Sequence, residues 1–399
     1  MLLNFPPEVI CLISEELDNR QDRYSLILSC RQVYEVALPV LYSDVILCRG
    51  PRHSVGQLSR FFYTIAQRPH LAGVVRALQL AVWETEEDQA VDCKFEYDDE
   101  LINNFLPDAP WRDKLAQQLF RGNTDAWLAL LIPHLKGLKR ISMCYPSYPE
   151  YVDKMFCDAT KEGEAAFPRL TEVLADWRDA KHGIHPSSME PLFKFPVMRK
   201  IVGTSISEYS CEESESSITP SSGITDIDLN DTNTEYGFGK WIESCKALRS
   251  FRLTTSGSLA SDGPVVLTTL LRKSISLNKT TLERFWLSGQ RQIDEYFRGQ
   301  MGSFVDFSAL KYLRVPVATL VDPTQDSWSA QKLASFLPPS LEILYLCHCE
   351  PGMFGWALDQ IEDLVDSKPL PHLTSVGLEG TAILIIDLFC SQIQHRLGS

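Results

Sequence analysis

The chain has 399 residues, 44% of them hydrophobic, with 38 basic against 52 acidic side chains and a net charge of −14. That is enough apolar material for a large core and, by length, for more than one domain, while the acidic balance argues against a general nucleic-acid binder, which needs a basic footprint. Eleven cysteines without a C-x-x-C pair read as reduced thiols of a cytoplasmic or nuclear protein, and neither a signal peptide at "MLLNFPPEV" nor a membrane span is expected, since the late run "TAILIIDLFC" is short and broken by Asp387.

The first elements are helical. Pro6 and Pro7 suit a chain entering a helix, where missing N–H groups cost little, and Val9, Ile13 and Leu17 form one stripe at i, i+4, i+8. Asp22 is placed to cap a second helix. Leu26, Cys30, Val33 and Ala37 make another stripe, and Pro39 marks its end or a restart. So small a unit needs a partner surface to be stable.

These residues resemble the F-box. That motif begins Leu-Pro-x-Glu-apolar, here Phe5-Pro6-Pro7-Glu8-Val9. It carries an apolar stripe, here Ile13, Leu17, Leu26 and Leu28, and closes with Cys-Arg-x-x-aromatic, here Cys30-Arg31-Gln32-Val33-Tyr34. "ALPVLYSDVIL" resembles the tail of many fungal F-box proteins, which leads through Tyr42 into a first strand, Val45 to Leu47. Phe5 in place of Leu and Val33 in place of a bulkier residue are departures. The resemblance implies an F-box over residues 1–44 that docks on the Skp-type adaptor of a cullin–RING ubiquitin ligase. Its contacts would be Phe5, Pro6, Glu8, Val9, Ile13, Leu17, Leu26, Leu28, Cys30, Val33 and Tyr34.

From residue 75 onward one pattern recurs: apolar, two residues, apolar, one residue, apolar. It reads "VRALQL" from Val75, "LKRISM" from Leu138, "LTEVLA" from Leu170, "MRKIVG" from Met198, "ITDIDL" from Ile224, "LRSFRL" from Leu248, "LERFWL" from Leu282, "LKYLRV" from Leu310, "LEILYL" from Leu341 and "LTSVGL" from Leu373. The third site is weak at Ala175 and Gly203. The last two apolar sites alternate as one face of a short strand requires. Helical patterns lie between: "DAWLALLIPHL", "GFGKWIESCKA", "VVLTTLLRKSISL" and "GWALDQIEDLVDS". A strand plus a returning helix cannot bury its apolar side alone, but stacked repeats bury it jointly. The expected fold is therefore α/β, a short helical unit followed by an irregular solenoid over residues 45–399, parallel strands inside and helices outside. This resembles the leucine-rich repeat, with the usual Asn after the strand mostly missing and only Asn230 near that place. Together the two resemblances imply a substrate receptor without a catalytic site of its own. The alternative is a protein-binding scaffold not linked to degradation.

Strand alternation sends the residue between the second and third apolar sites to the concave face. That column reads Gln79, Ser142, Leu174, Val202, Asp228, Arg252, Trp286, Arg314, Tyr345 and Gly377, with Arg284 and Tyr312 two places earlier on their strands. Arg252, Arg284, Trp286, Tyr312, Arg314 and Tyr345 thus fall on four adjacent strands. These are the residue types that dominate interface energetics, so they are the expected target-binding residues. The opposing reading is a cation–π ladder that merely covers the sheet.

Other motifs carry less. In "CHC", Cys347 and Cys349 share a strand face and His348 points away, so one ion does not reach all three. Asp226, Asp228 and Asn230 line one strand face, as hard-cation ligands or a solvated face would. "YGFGKW" has two glycines, lacks a third and lacks a preceding strand, so it reads as a turn. "NKT" at Asn278 is a glycosylation sequon, without consequence inside a cell. No P-loop, G-x-S-x-G or H-E-x-x-H occurs, and neither cofactor nor metal is expected. Residues 84–100 and 205–222 are acidic or serine-rich insertions that leave strand ends. They read first as solvated insertions, and the alternative is one negative rim that steers a basic target.

Overall fold

The computed structural model describes residues 5–47, 54–81, 95, 97–146, 149–161, 167–177, 183–208, 220–255, 265–289, 297–321, 328–380 and 385–389. The two acidic insertions fall largely outside these residues. The chain divides into two compact units, one of residues 1–178 with 195–197, the other of 179–194 with 198–399.

The first unit begins with three helices, α1 (Pro7–Glu16), α2 (Arg20–Ile27) and α3 (Arg31–Ser43). Pro6 and Pro7 sit at the N-cap and first turn of α1, as expected. The second helix is capped by Asn19, whose side chain accepts from the Gln21 N–H at 2.9 Å, and not by Asp22, which lies inside the first turn. Arg23 reaches back to the end of α1 and donates to the carbonyls of Leu17 (2.7 Å) and Glu15 (3.2 Å), a cation at a helix C-terminus. Helix α3 runs through Pro39 rather than stopping there. A proline inside a helix costs about 3 kcal/mol, and here the buried stripe Val33, Ala37 and Val40 holds the helix on its neighbours. The small core of the three helices is Ile10, Ile27, Val33 and Ala37, with Leu26, Cys30, Tyr34, Val36 and Leu41 packed around it.

With no residue between, α3 passes into β1 (Asp44–Leu47). Then follow α4 (Ser54–Gln67), α5 (Pro69–Val74), β2 (Ala77–Leu80), α6 (Asp99–Asn103), α7 (Arg112–Phe120), α8 (Thr124–Leu131), β3 (Arg140–Tyr145), α9 (Tyr151–Ala159) and β4 (Glu172–Trp177). The four strands pair in chain order, all parallel. Every residue of α8 is buried. Asp125 within it is 1% exposed and accepts from the N–H groups of Glu150 (2.8 Å), Tyr151 (2.7 Å) and Val152 (3.2 Å). One carboxylate thus satisfies the start of α9, whose first N–H groups have no partner within the helix.

The second unit contains β5 (Lys200–Thr204), β6 (Ser207–Glu208), β7 (Asp226–Thr234), α10 (Gly239–Ser244), β8 (Ser250–Thr255), β9 (Val266–Leu267), α11 (Thr268–Ser276), β10 (Arg284–Gly289), β11 (Phe297–Arg298), β12 (Tyr312–Pro316), α12 (Val317–Leu320), β13 (Ile343–Cys349), α13 (Pro351–Ser367), β14 (Ser375–Gly380) and β15 (Ile385–Phe389). Strands β5, β7, β8, β10, β12, β13 and β14 pair in that order, all parallel. The sequence pattern gave no sign that β15 would add antiparallel to β14.

All ten pattern matches are strands. Their second and third apolar sites are buried without exception, from Leu78 and Leu80 to Val376 and Leu378. Gly203 is the weak third site because Ile206 fills the space, and a Cβ there would collide with the Ile206 side chain. Register is fixed between strands by a repeated hydrogen bond. The carbonyl of Thr225 accepts from the N–H groups of both Arg249 and Ser250, that of Arg249 from Glu283 and Arg284, that of Glu283 from Lys311 and Tyr312, and that of Lys311 from Glu342 and Ile343.

"YGFGKW" does follow a strand, since β7 extends to Thr234. The turn is real, with Gly237 and Phe238 both at positive φ. The buried Glu208 carboxylate accepts there from the Thr234 hydroxyl and from the Phe238 N–H.

Candidate functional site

Strand register places the expected column side by side. Asp228 on β7 lies opposite Arg252 on β8, which lies opposite Trp286 on β10, then Arg314 on β12, Tyr345 on β13 and Gly377 on β14. A second row pairs Asp226, Ser250, Arg284 and Tyr312. Their strand neighbours Phe251, Phe285, Leu313 and Leu344 are fully buried. The six residues singled out from sequence therefore share the face opposite the core.

The column is a stack. The Arg252 guanidinium carbon lies 4.2 Å from the centroid of the Trp286 ring, and that of Arg314 lies 4.5 Å from it. Arg314 also lies 4.1 Å from the Tyr345 ring. Trp286 and Tyr312 stack at 5.9 Å with planes 19° apart, and Trp286 Nε1 donates to Ser288 Oγ at 2.8 Å. Cation and ring alternate because each strand contributes one side chain per register position, at the strand spacing of roughly 4.8 Å, within reach of a cation–π contact. The covering ladder and the clustered interface residues are thus the same side chains.

Acidic neighbours flank the arginines. Arg314 Nη2 donates to Glu379 Oε2 at 2.8 Å. Arg284 Nη2 reaches Asp226 Oδ1 at 3.4 Å, and Arg252 Nε lies 3.7 Å from Asp228 Oδ1. Asp226 and Asp228, considered above as cation ligands, face arginines instead. Among the described residues, no group of three or more His, Cys, Asp or Glu side chains is arranged to hold a metal ion. Burial raises the Tyr312 hydroxyl above its ordinary pKa. Beside the stack, Ser250 floors a depression of about 340 Å³ between Asp226 and Asp228 on one side and Arg252, Arg284, Trp286 and Tyr312 on the other.

"CHC" departs from simple alternation. His348 has φ +54, the β13–β14 register shifts between Leu346 and Cys349, and all three side chains are buried. The bulge turns His348 inward, where its Nε2 accepts from the Gly289 N–H at 3.1 Å. Burial and the Arg314 charge pull its pKa down to about 4. Cys347 Sγ contacts the Leu287 carbonyl at 3.5 Å, and burial pushes that thiol up to about 12. Asn278 is also structural: it is 3% exposed and its Oδ1 accepts from the Leu248 N–H at 2.9 Å.

The residues expected to meet an adaptor are divided by the fold. Phe5, Pro6, Glu8 and Leu28 are exposed, and Val9, Ile13, Leu17, Leu26, Cys30 and Tyr34 are half-buried. Val33 is 0% exposed in the core of the three helices and is therefore a packing residue, not a contact. The stripe that α1 buries is Ile10 and Ser14, one position from the expected Val9, Ile13 and Leu17. Leu12 and Tyr24, which sequence reasoning did not single out, are 57% and 47% exposed; an apolar residue on the polar side of a stripe was the available signal. Sequence reasoning also missed a groove of about 640 Å³ in the first unit, whose lining includes Phe105, Trp111, His134, Met155 and Asp158. No helix among the described residues is long and apolar enough to cross a membrane.

Residues 157–379, more than half of the chain, match the family described as "Leucine-rich repeat domain". The match begins after β3 and leaves α1–α3 outside it. No curated protein matches the chain.

Proposed function

The chain belongs to the leucine-rich repeat family, whose domains are typically non-catalytic protein-binding modules, and we propose that it is the substrate-recognition subunit of a Skp–cullin–F-box ubiquitin ligase. In this reading α1–α3 dock on the adaptor, the Arg252–Trp286–Tyr345 face holds a target protein, and ubiquitin transfer belongs to other subunits in the cytoplasm or nucleus. The observation that carries it is the N-terminal three-helix unit. It has a core of four residues and leaves Phe5 (43%), Leu12 (57%), Tyr24 (47%) and Leu28 (62%) exposed. Four large side chains left exposed on a unit with so small a core are what a partner would cover.

Affinity purification of the tagged chain from its own cells tests this. Recovery of a Skp-type adaptor together with a cullin supports the reading. Recovery of repeat-bound proteins with neither overturns it in favour of a scaffold not linked to degradation. That second reading has its own observation, since the family match covers repeats and not the three helices.

A further inference from the structure

Resting on the reading of the β7–β13 face as the target surface, we infer that the depression beside Trp286 is a receptor for a carboxylate side chain of the target, an aspartate or glutamate in an extended segment.

The two arginines on Trp286 are used differently. Arg314 is held between two rings, donates to Glu379 at 2.8 Å, and its side chain is 16% exposed. Arg252 is stacked as closely, at 4.2 Å, yet donates no hydrogen bond to any described residue. Its nearest carboxylate oxygen, Asp228 Oδ1, is 3.7 Å away and already accepts from Asn230 Nδ2 at 3.0 Å. The Nε atoms of both arginines are screened from water without a hydrogen-bond partner, so the difference lies in the terminal nitrogens, which Arg314 uses on Glu379 and Arg252 does not use on any described residue. Arg252 is held over the ring with its side chain 39% exposed, so its two terminal nitrogens are left for a planar anion while the stack prepays the ordering of the side chain.

The surroundings favour an anion over a cation. The depression is lined by three cations, Lys200, Arg252 and Arg284, and two carboxylates, Asp226 and Asp228. Both carboxylates are occupied. Asp226 accepts from Thr225 Oγ1 (2.7 Å) and Arg284, and Asp228 accepts from Asn230 beside Arg252. An incoming cation would compete with arginines for them. An incoming carboxylate finds donors on Arg252 and on Arg284, whose side chain is 61% exposed and, among the described residues, makes one hydrogen bond, at 3.4 Å. Trp286 and Tyr312 supply an apolar wall for the methylene stem, and Ser250 leaves the floor open.

A displayed library of short random peptides selected on the full-length protein tests the inference. Selected peptides should carry Asp or Glu at one fixed position. Replacing that residue by Asn or Gln in a synthetic peptide should weaken binding at least about tenfold, as loss of a charged two-pronged bond does. Arg252→Met, which keeps an apolar stem against Trp286, should bind the acidic and amide peptides equally. Should Arg252→Met fail to fold, the peptide pair on the unaltered protein decides alone. Peptides with a fixed Lys or Arg, or with no fixed acid, that are lost on Trp286→Ala would overturn the carboxylate receptor and leave the face as the target surface. Tighter binding of a phosphoserine peptide than of its glutamate counterpart would overturn the carboxylate as the natural group. Peptides indifferent to Trp286→Ala, or no peptide at all, would overturn the receptor and the face together.

Discussion

Arg252 and Trp286 are partners in strand register, and the guanidinium of one covers the ring of the other at 4.2 Å. The register comes from buried Phe251 and Phe285 on the other side of the same strands. Trp286→Ala removes three ring contacts and leaves that core untouched. At roughly 0.5–1 kcal/mol for each exposed cation–π contact, urea denaturation should show a loss of about 1–2 kcal/mol and a folded protein. Target capture should fall by roughly 2 kcal/mol or more if the ring is a binding anchor, with adaptor capture unchanged. Unaltered target capture in a stable variant would place the binding surface elsewhere.

Ile13 and Ile10 give a paired test of the N-terminal helices. Ile13 is half-buried and outside the small core, whereas Ile10 is 0% exposed within it. If α1–α3 dock on an adaptor as proposed, Ile13→Asp should leave the circular dichroism spectrum unchanged and cost several kcal/mol of adaptor binding, because it would place an unpaired charge in that interface. Ile10→Asp should unfold the helices. Co-purification of Ile13→Asp with the adaptor at the yield of the unaltered chain would remove this surface from the assignment.

Asp125 makes a pH prediction for the first unit. Burial outweighs its three backbone donors and raises its pKa from 3.8 to about 6. The folded state thus holds the proton more tightly than the unfolded one. Stability from this group is fully present below pH 3.8 and is lost as pH rises through about 6. The change corresponds to roughly 3 kcal/mol. Melting curves between pH 4 and 7 should show that slope in the unaltered protein and a flatter one in Asp125→Asn.

His348 predicts the opposite slope for the second unit. Its pKa falls from 6.5 to about 4, so the unfolded state binds the proton first as the solution is acidified. Stability is present above pH 6.5 and declines toward pH 4, by about 3 kcal/mol. His348→Gln retains an acceptor for the Gly289 N–H and should lose this acid sensitivity. Hydrogen exchange at β10 and β13 resolves it from the Asp125 effect.

Much of this was legible because strand alternation is a rigid rule. Once Phe285 and Leu287 are assigned inward, Trp286 has no choice of face, and neighbouring strands in register carry Arg252 and Arg314 to its two sides. The rule fails where the backbone leaves the extended region, so His348 at φ +54 turned inward against expectation. Helix phase is softer. Val9 and Ile10 are both apolar, and only the packing of α3 selects Ile10 as core. The same packing consumes Val33 and carries α3 across Pro39, since tertiary burial outweighs local propensity. Asn19 and Asp22 are both competent caps in sequence, and the choice between them lies in where α1 ends. The partnering of each arginine depends on side-chain reach, which spacing does not encode.

The direct passage from Ser43 at the end of α3 to Asp44 at the start of β1 has a mechanical meaning. There is no slack at that junction. The Ser43 carbonyl accepts from the Arg76 N–H at 2.8 Å, and Arg68 donates to the Tyr34 hydroxyl at 3.1 Å. A torque applied to the three helices is thereby delivered to the first strands without a hinge to absorb it. Whatever grips α1–α3 steers the strands of the first unit as a wrench steers a bolt, and disconnecting grip from load would take both a few glycines after Ser43 and the loss of the Arg68–Tyr34 bond.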